Sequence, residues 1–300
     1  MNPIIRKIEV KTILTKSNLP IGDYSINPYV GCTHSCKYCY ACFMKRFSNH
    51  AEEWGTFIDV KLWSEIKNPQ KYSGKSFFMS SVTDPYNPQE EKFQRTRKFL
   101  ETFQGVDINL SIQTKSDLIL RDLDLIKTFK NVRVGFSINT LDENFKNDMD
   151  KAASIERRLF AMKKFHDAAI RTVCFISPIF PGITDAEKII DAVKSQCNFI
   201  WLENLNLRGE YKPKILNYVK EKFPQHAELY REIYARKNFS YWAELDKKIR
   251  TYAEKNNLEY VYNRDDPQRD FLAPPVVVNF FFHEKIKKSA RKFDSANFNL

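Results

Sequence analysis

Cys32, Cys36 and Cys39 stand in one short segment, Gly31-Cys-Thr-His-Ser-Cys-Lys-Tyr-Cys-Tyr40, which brings three thiols within reach of one metal centre. A structural zinc site is closed by four protein ligands, whereas a catalytic one keeps a position open. A four-iron cluster takes four thiolates, so a loop that supplies three leaves one iron to bind something else. The spacing also admits closure. His34 or His50 would complete a Cys3His zinc site, and Cys42, three residues after Cys39, would supply a fourth thiolate. Bacterial ferredoxin loops are spaced differently and end in proline, where Ala41 and Phe43 stand here. Zinc ribbons carry a second Cys/His pair, whereas Cys174 and Cys197 sit alone in apolar segments.

A second polar block runs from Ser80 to Glu90 and contains Ser81, Thr83, Asp84, Tyr86 and two prolines. Such a rigid turn before a helix can receive a ligand's ammonium group. Helix capping by Asp84 or Asn87 with Pro88 in the first turn accounts for half of the same residues. Three weaker groups follow: Ser137, Asn139 and Thr140 at a strand end, Arg157 and Arg158 at a helix start, and Ile179 and Phe180 before a turn. Adjacent arginines on a helix point in different directions, so one of the two at most can serve a given ligand.

Strand-like and helical runs alternate from about residue 24 to 262, which predicts repeated βα units. The expected strands are Tyr24 to Tyr29, Ser76 to Ser80, Asp107 to Gln113, Val132 to Asn139, Thr172 to Pro178 and Asn198 to Asn204. Helical patterns lie at Cys36 to Asn49, Gln89 to Phe103, Leu118 to Phe129, Ile155 to Ala168 and Ala186 to Gln196. Six units make a partial (β/α)6 TIM-type barrel, in which chemistry gathers at the C-terminal ends of strands, where the cysteine loop falls. Lys212 to Asn256 reads as two further helices parted near Asn238 to Ser240, a helical C-terminal extension. Residues 1–23 read as an N-terminal extension, 24–262 as the barrel and 263–300 as a C-terminal appendage, in which Val276 to Phe282 is a strand that docks on the barrel.

With 300 residues the chain can bury one large core. No apolar run approaches the ~18 residues of a membrane span, and the N-terminus lacks a signal-peptide core, so no membrane association and a cytoplasmic location are expected. Six cysteines with three clustered fit a reducing compartment better than a disulfide framework. The net charge of +11 attracts polyanions, nucleic acid among them, although lysines spread over solvated faces give the same total. A basic tail, Lys285, Lys287, Lys288, Arg291 and Lys292, adjoins Phe280, Phe281 and Phe282.

The C-x3-C-x2-C spacing with Tyr38 before the last cysteine resembles the radical S-adenosylmethionine (SAM) superfamily. Ser81, Thr83, Asp84, Tyr86, Pro88 and Glu90 match a segment that follows the second strand in the branch related to spore photoproduct lyase. Asn27 to Ala41 as a whole resembles the group called radical SAM mobile pair protein B, and the likeness covers about residues 24 to 205. The resemblance implies a 4Fe-4S cluster on Cys32, Cys36 and Cys39, with SAM on the open iron. It places Tyr38, Ser81, Thr83 and Asp84 in the cofactor site, Ser137 near the SAM ribose, Arg157 or Arg158 at the SAM carboxylate, and Ile179 with Phe180 against adenine. It also implies a flavodoxin- or ferredoxin-type electron donor and a paired radical SAM partner protein. One departure matters: spore photoproduct lyases carry a hydrogen-donating cysteine where Ser81 stands, so thymine-dimer repair is disfavoured, and Cys42, Tyr40 and Tyr86 remain as donors. The implied enzyme cleaves SAM reductively and acts on nucleic acid, or on a protein or small metabolite. The competing reading is a zinc or closed-cluster interaction module without turnover.

Overall fold

The computed structural model describes residues 2–17, 22–262 and 276–281. In chain order its strands and α-helices are β1 (Ile4–Val10), β2 (Leu14–Lys16), β3 (Tyr24–Ile26), β4 (Tyr29–Val30), β5 (Phe57–Trp63), β6 (Ser76–Met79), α1 (Glu90–Phe93), α2 (Arg95–Phe103), β7 (Asn109–Thr114), α3 (Leu123–Ile126), β8 (Asn131–Ser137), α4 (Glu143–Met149), α5 (Ile155–Asp167), β9 (Arg171–Ile179), α6 (Ala186–Val193), β10 (Phe199–Asn204), α7 (Tyr211–Lys222), α8 (Ala227–Tyr234), α9 (Ser240–Lys255), β11 (Glu259–Tyr262) and β12 (Val277–Phe281). The cysteine loop leads from β4 into a 3-10 helix, Tyr40–Phe47.

Among the described residues a nine-stranded sheet runs β11-β12-β10-β9-β8-β7-β6-β3-β2, parallel throughout except for β2 against β3. The fold is therefore α/β with a mostly parallel central sheet. Period-2 alternation explains why β8 forms: Val132, Val134 and Phe136 are buried toward the helices, while Arg133, Gly135 and Ser137 point to the other face. Helix α5 starts where the Ser154 hydroxyl accepts from the Arg157 N–H, and it buries Ile155, Ala161, Met162 and Phe165 against the sheet. Each large apolar side chain so buried contributes about 1.5–3 kcal/mol. Ala169, in a left-handed turn at φ 57°, ends the helix and feeds β9.

The six expected strands are all present, with β3 and β4 dividing the first. The stretch read as an N-terminal extension is woven in: β1 lies parallel to β5, which also pairs with β4, and β2 pairs with β3. β12 falls within the expected final strand and inserts between β10 and β11, so sequence from beyond residue 263 completes the sheet. The expected helix from Gln89 to Phe103 is broken at Gln94, which is left-handed at φ 48°. Glu90 explains the break, because its buried carboxylate accepts from the Thr96 and Arg97 N–H groups (2.9 and 3.2 Å) and so caps α2 from the preceding turn. The same carboxylate takes the Tyr29 hydroxyl and Arg121 Nη2 (2.8 Å), tying β4 of the three-stranded sheet to α1 and to the turn before α3. Among the described residues three α-helices, not two, follow β10. The basic tail from Lys285 to Lys292, and Phe282, lie outside the described residues.

Candidate functional site

The cysteine loop packs tightly because glycines let it. Gly31, at φ 89°, would bring a Cβ within 2.5 Å of the Phe57 carbonyl, and a Cβ on Gly55 would stand 2.6 Å from Ser35 Oγ. Ser35 turns the chain between Cys32 and Cys36 in a left-handed conformation and donates its hydroxyl to the Gly55 carbonyl (2.8 Å). The α4–α5 junction holds the far side. The Lys37 N–H donates to the Met149 carbonyl (2.9 Å), the Lys151 N–H to the His34 carbonyl (2.7 Å), and the Tyr38 hydroxyl to Asp150 Oδ2 (3.1 Å).

Cys32 is buried, and Cys36 and Cys39 are partly so. Burial pushes all three thiols up, and neighbouring thiols add to it: Cys39 acts on Cys32, both Cys32 and Cys39 act on Cys36, and Cys42 acts on Cys39. Asp84 raises Cys32 further and Asp150 raises Cys36, while Lys115 favours the thiolates of Cys36 and Cys39. Three such thiols ionise together only beside a strong positive charge, which is what a bound metal centre supplies.

The closed-site alternatives fare unequally. His50 is held with Nδ1 2.8 Å from Glu52 and Nε2 3.0 Å from Asp59, its ring stacked on Phe57, so both ring nitrogens are already engaged. His34 rests with Nε2 3.2 Å from Asp84 Oδ2. The Cys42 thiol donates to the Tyr40 carbonyl (3.9 Å) and packs with Tyr38 and Phe180. Among the described residues no three His, Cys, Asp or Glu side chains, Cys32, Cys36 and Cys39 included, are grouped to hold a single metal ion. Buried polar atoms also surround the loop without partners, namely Thr33 Oγ1 and His34 Nδ1 within it. The Trp54 indole N–H, likewise without a close partner, faces Cys39 and favours its thiolate. Such donors suit sulfur acceptors, and a three-thiolate set with sulfur-directed donors fits an iron–sulfur cluster.

The block from Ser80 to Glu90 meets the loop, and its side chains are largely committed. Ser81 Oγ accepts from Asn27 Nδ2 (2.8 Å), and Thr83 donates to the Gly31 carbonyl (2.6 Å). Asp84 accepts from the Tyr86 and Lys115 N–H groups and from the Thr114 hydroxyl (2.9, 2.7 and 2.7 Å). Burial pushes Asp84 up, but His34 and these donors outweigh it and hold the carboxyl below its usual range. Tyr86 is fully buried against Asp122 (3.2 Å).

Farther along, Ser137 is partly exposed at the end of β8, and Ile179 and Phe180 are fully buried, with Phe180 edge-on to Tyr38. The two arginines separate as helix geometry requires. Arg157 is on the surface with Asp117 (2.7 Å), whereas Arg158 is 1% exposed and donates to Asp150 (2.8 Å) and to the Ala153 and Ser137 carbonyls. Sequence reasoning missed Lys115, whose ammonium stands 5.5 Å over the Tyr38 ring and pairs with no carboxylate among the described residues. The available signal was a cation just past the third parallel strand, where βα loops carry chemistry.

Residues 26–193 match the radical SAM superfamily. An uncharacterized protein of Methanocaldococcus jannaschii is 38% identical over 255 residues, 84% of this chain and 94% of that one. Among solved structures, spore photoproduct lyase complexed with dinucleoside spore photoproduct is similar, with a TM-score of 0.58 and 16% identity over 93% of this chain and 82% of that one. A mutant of that lyase with bound AdoMet and dinucleoside spore photoproduct aligns with a TM-score of 0.53 and 17% identity, covering 74% of this chain and 66% of the other. At these identities the structural likeness speaks for the fold. The chain belongs to the radical SAM superfamily, which uses a 4Fe-4S cluster and SAM.

Proposed function

We propose that this protein is a radical SAM enzyme in which Cys32, Cys36 and Cys39 hold the cluster and leave one iron open for SAM. The observation that carries the reading is the grouping of three thiols on one loop, with His50 and the Cys42 thiol hydrogen-bonded to other groups. Held by these three cysteines, the cluster would supply one-electron reductive cleavage of SAM, the electron coming from an external donor, and with it the means to take hydrogen from a substrate.

The chain's own residues divide into two sets. Asp84, Thr83, Ser81, Arg158 and Tyr38 act through position, since their hydrogen bonds go to the loop or to the segments that brace it. Direct contact with SAM falls to groups that remain available: the Ser137 hydroxyl, and the Lys115 ammonium, a match for the SAM carboxylate. The carboxylate role expected of Arg157 or Arg158 is thereby reassigned to Lys115. Ile179 and Phe180 would back the adenine through the rigidity of their loop. The parallel strands from β3 to β10 would form the partial barrel, with the cysteine loop at their C-terminal end.

The cluster needs an external one-electron donor of flavodoxin or ferredoxin type, and six unpaired thiols suit the reducing cytosol. The net charge of +11 favours a nucleic-acid substrate. Incubation of the reconstituted protein with SAM and dithionite, followed by chromatography, tests the reading. 5′-Deoxyadenosine that disappears in Cys36→Ala supports it, and intact SAM beside a fully loaded cluster refutes it.

A further inference from the structure

The sheet face turned away from the helices carries polar groups that neither the cofactor site nor the fold uses. Ser111 and Gln113 lie on β7, two residues apart and therefore on one face, opposite Arg133 and Gly135 of β8. Gln113 is 6% and Ser111 7% exposed, yet the Gln113 amide oxygen and nitrogen and the Ser111 hydroxyl all lack a partner. Each such group is costly to bury, and three together call for a ligand. Gly135 permits this arrangement: a Cβ there would stand 2.1 Å from Gln113 Oε1, so any other residue would make the amide end shift. Glycine inside a strand weakens it, which makes the close approach a retained feature.

Gln113 sits directly before Thr114, which holds Asp84, and two residues before Lys115, which stands over Tyr38. The unpartnered amide is thus next in sequence to residues that meet the cysteine loop. The same face carries Arg133 and the buried Trp201. The Arg133 guanidinium lies 4.4 Å over the Trp201 ring, and Trp201 meets Phe175 and Phe281 edge-on at 6.1 and 5.8 Å.

We infer that Gln113 is a substrate-specificity residue that reads the edge of a nucleobase, with Ser111 as its neighbour. A carboxamide offers one donor and one acceptor side by side, the pattern that pairs with a base edge. Arg133, directly opposite Ser111 on β8, adds a guanidinium to this face, and the basic chain attracts a nucleotide's phosphates. This inference rests on the proposed radical SAM reading, because it places the base beside that cofactor site.

The test is fluorescence anisotropy with labelled single-stranded oligonucleotides, each of one base, titrated into the anaerobically reconstituted full chain with SAM. The expected result is preference for one base by about tenfold, erased in Gln113→Leu while the weakest oligonucleotide binds as before. Should that variant misfold by circular dichroism, Gln113→Glu, which only accepts, is expected to move the preference toward cytosine and its amine donor. Equal affinity for every base in the unaltered protein overturns the inference, as does a preference that survives in Gln113→Leu. Competition by a peptide carboxamide but not by nucleosides overturns it in favour of a protein substrate. An EPR signal that responds to SAM in the same preparation, without base preference, would sink this inference alone and leave the radical SAM reading standing.

Discussion

Replacing Arg158 with alanine is expected to destabilise the protein by about 4 kcal/mol, although Arg158 lies on the far side of the loop's brace. Its guanidinium makes three hydrogen bonds, to Asp150 (2.8 Å), the Ala153 carbonyl (2.8 Å) and the Ser137 carbonyl (3.1 Å), and both charged side chains are 1% exposed. Truncation leaves Asp150 ionised and buried, which costs about 3–5 kcal/mol when one partner of such a pair is removed. The remaining contacts of Asp150, the Tyr38 hydroxyl and the Ala152 N–H (each 3.1 Å) and Lys146 Nζ at 3.7 Å, offset only part of that. Because a domain's whole stability is about 5–15 kcal/mol, the variant should unfold at markedly lower urea concentration. The double variant Arg158→Met with Asp150→Asn removes the orphaned charge and should recover a large share. A loss below about 1 kcal/mol in Arg158→Ala would mean that the pair behaves as an exposed one, and the argument for a rigid brace would fail.

Cys36→Ala should leave the far-UV circular dichroism unchanged and abolish the visible absorbance of the reconstituted cluster, with retained iron and sulfide counting against that ligand. Lys115→Met should weaken SAM binding to the reconstituted protein by about tenfold, the scale of one charge-assisted hydrogen bond, without altering the cluster's absorbance; unchanged binding would return the carboxylate role to another group. Burial raises Asp150, but Arg158, Lys115, Lys146 and His34 outweigh it, so Asp150 and Asp84 both ionise below their usual value of 3.8. The unfolded chain then binds more protons in this range, so their contribution is fully present above 3.8 and is lost as pH falls through the depressed native values. Urea titrations across this interval should show stability falling with acid, and a flat profile would contradict the coupling. Gly135→Ala should cost about 1–3 kcal/mol through overlap with Gln113, read by thermal melts, and a neutral effect would mean that the amide readily moves.

Much of this was legible in the residues themselves. Short apolar runs bounded by polar turns located six parallel strands, because a strand buried on the helix side must carry alternating or continuous apolar residues, as Val132, Val134 and Phe136 do. What periodicity missed has identifiable causes. β1 is exposed along most of its length, and Arg6 interrupts the face that carries Ile4, Ile8 and Val10, so alternation in Ile4–Val10 is too short to announce a strand. The break at Gln94 depends on Glu90 caps formed through space. At the site, cysteine spacing located the loop, since three thiols within eight residues have few uses. The arginines were harder, because sequence shows two adjacent guanidinium groups and only packing reveals that Arg158 turns inward to Asp150. Lys115 went unseen for the same reason: its place over Tyr38 arises from strand order, with Asp84 gripping its backbone N–H.

The most direct test of the open-iron assignment is anaerobic reconstitution with iron and sulfide, dithionite reduction, and EPR with and without SAM. A reduced-cluster signal that changes when SAM is added is the predicted result. Tight zinc in place of a cluster, or a cluster signal indifferent to SAM, would return Cys32, Cys36 and Cys39 to a structural role.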